Sequence, residues 1–349
     1  MFSDLHVFAH LSKSQFEDIA IDFLYYLLKY SKSNKIERIF FLGDWFHIKN
    51  KLYVPPFIRS IEVLRLFKEA GIDITFLIGN HDAPQMNTTD NSIMYAFQEF
   101  GKVIPLYEWE DIGDIRFHLL SYTNELPKFE LTDKKINILL GHLDIKNFVM
   151  ESGMSCKEGF NIKSFKDFDM VYSGHFHKHQ VNNNIVYIGS PYQTRYSERF
   201  DQKGFIELDT DTVDWKFIEY NSAPIFKEID IEEYDEENIK GNFIRIKTHK
   251  NNDDLSEIKN KFLELGAESV DFIFEDEEEE NELNMIEDLT TGSIQELSSA
   301  FYDNVLENNL FPKGINTLLE ANKIDKNDFM VIFKDIEESH LAGWKPEDD

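Results

Sequence analysis

The 349-residue chain has a single cysteine, Cys156. A lone thiol forms no internal disulfide and leaves no thiolate cluster for zinc or an iron–sulfur centre, so the reducing cytosol is the expected compartment. Long apolar runs are also missing. Stretches such as Ile72 to Ile78 reach strand length only, so no membrane span is expected, and the first residues carry no basic-then-apolar leader. Basic residues are scarce: 36 Lys and Arg stand against 65 Asp and Glu, a formal charge of −29. Spread evenly, that charge would repel a phosphate backbone, so any nucleic-acid contact has to be local. Internal repeats are absent, and the one low-complexity tract is the acidic run Glu275 to Glu280. It reads as a solvated linker or exposed face, with a docking surface for a basic partner as the alternative.

Aromatic residues, in contrast, are plentiful. With 31 Phe and 14 Tyr in a 42% hydrophobic chain there is material for a large core, and the length suits a catalytic domain with at least one smaller addition. Phe16, Ile19, Ala20, Phe23, Leu24, Leu27 and Leu28 recur at helical spacing, which predicts an amphipathic helix over Ser14 to Tyr30. A short strand over Ile36 to Leu42 then stops at Gly43. The pattern repeats as a helix over Phe57 to Ala70, a stop at Gly71 and a strand from Ile72 to Ile78 ending at Gly79. Further strands are expected over Lys135 to Leu140, Asp169 to Ser173 and Ile185 to Ile188. These features predict an α/β fold with polar residues gathered just beyond the strand ends, where open α/β sheets place their ligands.

Five clusters occupy such positions: Asp4-Leu5-His6, Gly43-Asp44 with His47, Gly79-Asn80-His81-Asp82, Gly141-His142, and Gly174-His175-Phe176-His177. Their donors are oxygen and imidazole without sulfur. That field suits manganese or iron(II), with zinc or magnesium less distinctive. In an extended segment, residues two apart project to one side, so Asp4 with His6, and His175 with His177, can each present a pair into one cleft. Adjacent residues diverge. Asn80 and His81 therefore point apart, which suits one as a ligand and the other as a group facing substrate.

This ordered series resembles the calcineurin-like metallophosphoesterase superfamily, and Gly43-Asp44-Trp45-Phe46-His47 resembles its SbcD-type double-strand-break repair nucleases, above all compact phage-type members. Tyr187-Ile188-Gly189-Ser190-Pro191-Tyr192 and Lys203-Gly204-Phe205 extend the likeness, which covers about residues 1 to 220. The resemblance implies a layered α-β-β-α sandwich and a DNA exonuclease and endonuclease using two Mn2+ ions, with Mg2+ or another divalent ion possible. It assigns Asp4, His6, Asp44 and His177 to one ion, and Asp44, Asn80, His142 and His175 to the other. His81 is implied as the catalytic proton donor and His47 as a second histidine near substrate. Two alternatives share parts of this pattern: an esterase for small phosphodiesters or phosphoproteins, and a non-catalytic scaffold that binds DNA ends or an ATPase.

The chain departs from the family pattern at its start, where only Met1, Phe2 and Ser3 precede Asp4: either the given start is late or the first strand is nearly absent, and loss of that strand predicts a loosened hold on Asp4 and His6. The expected layout is a nuclease domain over 1–225, a small α+β capping, DNA-binding domain over 226–275 containing a βαβ unit, an acidic linker over 276–292 and a helical tail over 293–349. The resemblance implies three partners: DNA, a second copy of the chain joined through helices at about 57–70 and 90–100, and an SbcC-type ABC ATPase gripped by the tail. It also implies action in the cytoplasm, that of the host if phage-encoded.

Overall fold

A computed structural model of the chain describes residues 1–7, 15–48, 53–83, 91–230, 234, 238–248 and 255–274. The expected acidic linker and helical tail lie outside these residues.

The first layer is helical. Helix α1 (Gln15–Asn34) and helix α2 (Val54–Glu69) cover one face of a parallel sheet in which β1 (Arg38–Phe41), β2 (Asp73–Leu77) and β3 (Gly101–Ile104) are hydrogen-bonded in that order. Strand periodicity explains the packing. Ile39, Phe41, Ile74 and Phe76 turn towards the helices and join Phe23, Leu24, Leu27, Val63, Leu64 and Phe67; Phe40, Leu42 and Leu77 turn the other way. There they meet Ile115, Phe117, Leu119, Ile138 and Leu140 of a second sheet.

That sheet has six strands: β4 (Tyr107–Ile112), β5 (Ile115–Leu120), β6 (Ile136–His142), β7 (Met170–Gly174), β8 (Gln180–Asn182) and β9 (Ile185–Tyr187). Their order is β4-β5-β6-β7-β9-β8, parallel from β5 through β9 and antiparallel at both margins. Its outer face, with Leu139, Val171, Ile185 and Tyr187, is covered by Leu143, Ile145, Phe148, Phe165 and Phe168. These come from irregular chain and a single 3-10 turn, Ile162–Phe165, instead of the α-helices expected for the second outer layer. The expected helix at 90–100 is likewise a short 3-10 turn, Ile93–Phe97, capped by the Ser92 hydroxyl.

The antiparallel pair β10 (Gly204–Leu208) and β11 (Trp215–Glu219) follows. It holds the segment that carries Asp4 and His6. The Met1 nitrogen donates to the Ile206 carbonyl at 2.6 Å, and Ile206 N–H returns a bond to Met1 at 2.9 Å. On its other side the segment pairs with β1 and the loop beyond it through Phe2↔Phe41 and Val7↔Phe46 bridges. Residues 2–7 are all buried, so the expected loosening of Asp4 and His6 does not occur.

Strands β12 (Phe226–Asp230), β13 (Phe243–Thr248) and β14 (Ser269–Phe274) form a separate three-stranded sheet with helix α3 (Leu255–Glu264). Ile239, Ile244, Ile246, Phe262 and Val270 give it a core of its own. The sequence reading missed β12, which pairs parallel to β13. Phe226 and Phe243 stack at 4.7 Å and join the core of the first sheet, and the Arg245 guanidinium lies 3.7 Å from the Tyr196 ring centre.

Candidate metal centre

Each motif lies where a strand gives way to a turn, and the backbone there is bent into unusual conformations. Asp4, His6, Asp44 and His175 all have positive φ, at 52°, 44°, 65° and 97°. For a residue with a Cβ this region is sparsely populated and costs about 1–3 kcal/mol, a strain that collects at functional sites. Gly43, at φ 96°, passes the chain beneath His142: a Cβ there would lie 2.5 Å from His142 Nδ1. Gly79 is tighter, because its Cβ would lie 2.0 Å from Asp44 Oδ1.

Two triads converge at the resulting cleft. Ligand atoms of Asp4, His6 and His177 lie within 4.8 Å of one another, as do those of Asp44, His142 and His175. The Asp44 carboxylate stands between them, its Oδ2 3.6 Å from His6 Nε2 and 3.4 Å from His142 Nε2. Asn80 completes the second group, with Oδ1 2.9 Å from His142 Nε2 and 3.0 Å from His175 Nδ1. His6 Nε2 and His177 Nε2 face each other at 2.9 Å. The structure thus brings together every residue that the sequence reading named for two ions.

The arrangement fits divalent cations. Asp4, Asp44, His6, His142 and His177 are almost fully buried, and buried charge is costly unless compensated. Burial raises the Asp4 carboxyl above its usual range and pushes the His6 imidazole well below its own. Asp44 is pulled both ways: burial favours its neutral form, yet the His142 and His81 imidazoles hold it well below the carboxylate range. Oxygen and imidazole donors in two sets sharing one carboxylate suit hard-to-borderline ions, and no sulfur joins either set among the described residues.

His47 and His81 stand beside these sets, and one nitrogen from each lies within 4.8 Å of one from His6. The His47 carbonyl accepts from His81 Nδ1 at 2.6 Å, while the His81 backbone N–H donates to Asp44 Oδ1 at 2.8 Å. Asp82 holds the two loops together. Its carboxylate accepts from the N–H groups of Asp44, Gly79 and Trp45 at 2.7, 3.0 and 2.8 Å. Burial and then the nearby Asp44 charge raise its pKa to about 7.

Sequence reasoning assigned no role to Asp144, Glu198 or Lys203. Asp144 Oδ1 lies 2.6 Å from His175 Nε2, and Glu198 Oε1 2.8 Å from His177 Nδ1. Lys203 reaches Glu198 Oε2, the His177 carbonyl and Ser190 Oγ, each at 2.9 Å. The nearest sequence signal was Asp144 standing two residues after His142. Lys203 stood within the Lys203-Gly204-Phe205 stretch that extends the likeness, without a role, and Glu198 carries no signal of its own. Tyr192, from the stretch that extends the family likeness, is 1% exposed and donates to the Leu5 carbonyl between Asp4 and His6. Basic residues near the motifs are engaged with acids: Lys178 with Asp201 at 3.4 Å, Arg195 with Glu198 at 3.7 Å and Arg199 with Glu228 at 3.8 Å.

Two stacked sheets whose strand ends gather buried carboxylates and imidazoles around a shared aspartate define a metal-dependent phosphoesterase. The chain belongs to the calcineurin-like phosphoesterase family, whose model matches residues 1–179. It is 24% identical over 241 residues to exonuclease subunit 1 of Enterobacteria phage T4, covering 63% of this chain and 67% of that one. It is 30% identical over 131 residues to the SbcD component of the SbcCD nuclease of Staphylococcus epidermidis, covering 35% of this chain and 34% of the relative. A solved Aquifex aeolicus protein of unknown function aligns at 17% identity and a TM-score of 0.27, over 52% of this chain and 80% of its own.

Proposed function

We propose that the chain is the nuclease component of an SbcCD-type complex and hydrolyses DNA phosphodiesters with two Mn2+ ions. The observation that carries this is the Asp44 carboxylate lying between two three-residue ligand sets while also anchoring the backbone of His81. The nuclease names of the phage and bacterial relatives support DNA as substrate. Asp4, His6, Asp44 and His177 would hold one ion, and Asp44, Asn80, His142 and His175 the other. Bound there, two divalent ions would polarise the phosphate and make water a stronger nucleophile.

The protein itself supplies the proton. A carbonyl oxygen only accepts, so the His81 nitrogen beside the His47 carbonyl carries a hydrogen, and in the imidazolium form Nε2 carries the second one. That hydrogen passes to the leaving oxygen. His47 performs two tasks. Its carbonyl fixes the His81 ring, and its own imidazole, with Nδ1 3.3 Å from His6 Nδ1, faces the same cleft.

The layout proposed from sequence stands with this reading: a nuclease domain to about residue 225, a capping domain to about 275 that contacts DNA, and a tail that grips an SbcC-type ATPase. A homodimer acting in the cytoplasm completes it. The test is Mn2+-dependent cleavage of linear duplex DNA, with Asp44→Ala as the metal-site control. His81→Ala is expected to bind Mn2+ normally and cleave about 10²–10⁴-fold more slowly. Cleavage by His81→Ala at the wild-type rate, with metal bound, would remove the proposed donor. A wild-type protein that hydrolyses bis(p-nitrophenyl) phosphate but leaves DNA intact would favour the small-phosphodiester reading.

A further inference from the structure

We infer that two acids, the half-buried Asp144 and the buried Glu198, are positioning residues that set which ring nitrogen His175 and His177 offer, one acid for each ion. The inference rests on the metal reading above and concerns side chains outside the ligand sets.

An imidazole ligates through one nitrogen, and the bond made by its other nitrogen decides which one that is. An ionised carboxylate only accepts, so a ring nitrogen facing it carries the hydrogen and the opposite nitrogen keeps its lone pair. Asp144 faces Nε2 of His175, which leaves Nδ1 as the inward donor, 3.0 Å from Asn80 Oδ1. Glu198 faces Nδ1 of His177, which leaves Nε2 inward, 2.9 Å from His6 Nε2. The two histidines of one Gly-His-x-His motif therefore present opposite nitrogens. Their backbones differ as well: His175 has φ 97°, whereas His177 is not among the positive-φ residues. Of the other two imidazoles in these sets, His142 has Nδ1 on the Leu42 carbonyl at 2.7 Å and Nε2 inward, so its outward nitrogen is held by backbone instead of an acid.

Both acids are themselves held. The Tyr122 hydroxyl donates to Asp144 Oδ2 at 3.1 Å. Glu198 accepts from the Thr194 N–H and hydroxyl, each at 2.9 Å, and from Lys203. If Glu198 and Lys203 formed only a structural staple, its bonds to Lys203 and Thr194 would suffice. Instead, one of its oxygens is aimed at the ring nitrogen of His177 that faces away from the cleft.

The test titrates Mn2+ into the full-length, chelator-stripped chain without DNA, following heat by calorimetry and free ion by electron paramagnetic resonance. The wild type is expected to take up two ions. Asp144→Asn and Glu198→Gln should each keep one ion at wild-type affinity and bind the other about 10–100-fold more weakly. The double variant should be weak at both sites. Melting of the metal-free proteins is recorded alongside, since Glu198→Gln leaves Lys203 without its charge partner. Asp144 has a side chain 33% exposed and no Lys or Arg within ion-pair distance among the described residues, and Asn keeps an accepting oxygen for Tyr122, so Asp144→Asn is the variant expected to melt like the wild type. Two ions at wild-type affinity in both variants would overturn the inference alone. So would equal weakening at both sites in step with a lower melting temperature. A wild type that takes up no Mn2+ would remove the metal reading and the inference together.

Discussion

Asp82 is a buried carboxylate at the junction of two catalytic loops, and its value lies in the N–H groups it accepts. Those of Asp44, Gly79 and Trp45 point inward to it, and Phe46 N–H lies at 3.4 Å. Asp82→Ala would strand these donors away from water, where each unsatisfied group costs about 1–3 kcal/mol. We expect a loss of about 3–5 kcal/mol, read as a lower urea midpoint at unchanged slope. Asp82→Asn keeps one accepting oxygen and should lose less. At Gly79 the limit is steric: Gly79→Ala places a Cβ against the Asp44 carboxylate that lies between the two proposed ion sites. Mn2+ uptake at both sites should fall together in that variant; uptake of two ions at wild-type affinity would show that the loop relaxes.

At the scale of elements, the N-terminal segment does the work of a strand with very few residues. It lies between β1 and β10, bonded to both, so Asp4 and His6 are set by two neighbours. Phe2 is its main apolar anchor, with ring centres of Phe23 and Phe41 at 5.6 and 4.9 Å. Phe2→Ala is expected to cost about 3–5 kcal/mol in chemical denaturation. The same change should weaken the ion held by Asp4, His6 and His177 more than the other, since only that set hangs from this segment; equal weakening in a Mn2+ titration would contradict it. Helices α1 and α2 and strands β1 and β2 were plain in the sequence because each carries a strong period and ends at a glycine or polar turn. Strands β4 and β5 were not. Tyr107–Ile112 mixes aromatic and acidic residues on a half-exposed sheet margin, so its burial pattern never forms a strong alternation.

At the scale of the whole molecule, a chain with a formal charge of −29 folds buried carboxylates into one cleft. A cation bound only by the folded state stabilises it by mass action. At a hundredfold excess over its Kd each Mn2+ ion adds about 2.7 kcal/mol, so Mn2+ should raise the melting temperature by several degrees and chelator should reverse the rise. Asp44→Ala, lacking the shared carboxylate, should show little of either effect.

The sequence alone determined the chemistry: oxygen and imidazole donors, without sulfur, spaced so that strand ends deliver them in order. That much is local, because a strand, a glycine stop and a two-residue alternation are written in neighbouring residues. The tertiary structure decided which ring nitrogen of His175 and of His177 faces an acid. Asp144 reaches His175 across 31 positions and Glu198 reaches His177 across 21, so their contacts depend on how separate loops pack over the two sheets. It also decided that a start with little strand in it is firmly held, because the bonds that hold Met1 come from Ile206, 205 positions away. Such pairings leave no trace in local spacing; they exist only once both sheets and the β10 strand have closed around the segment.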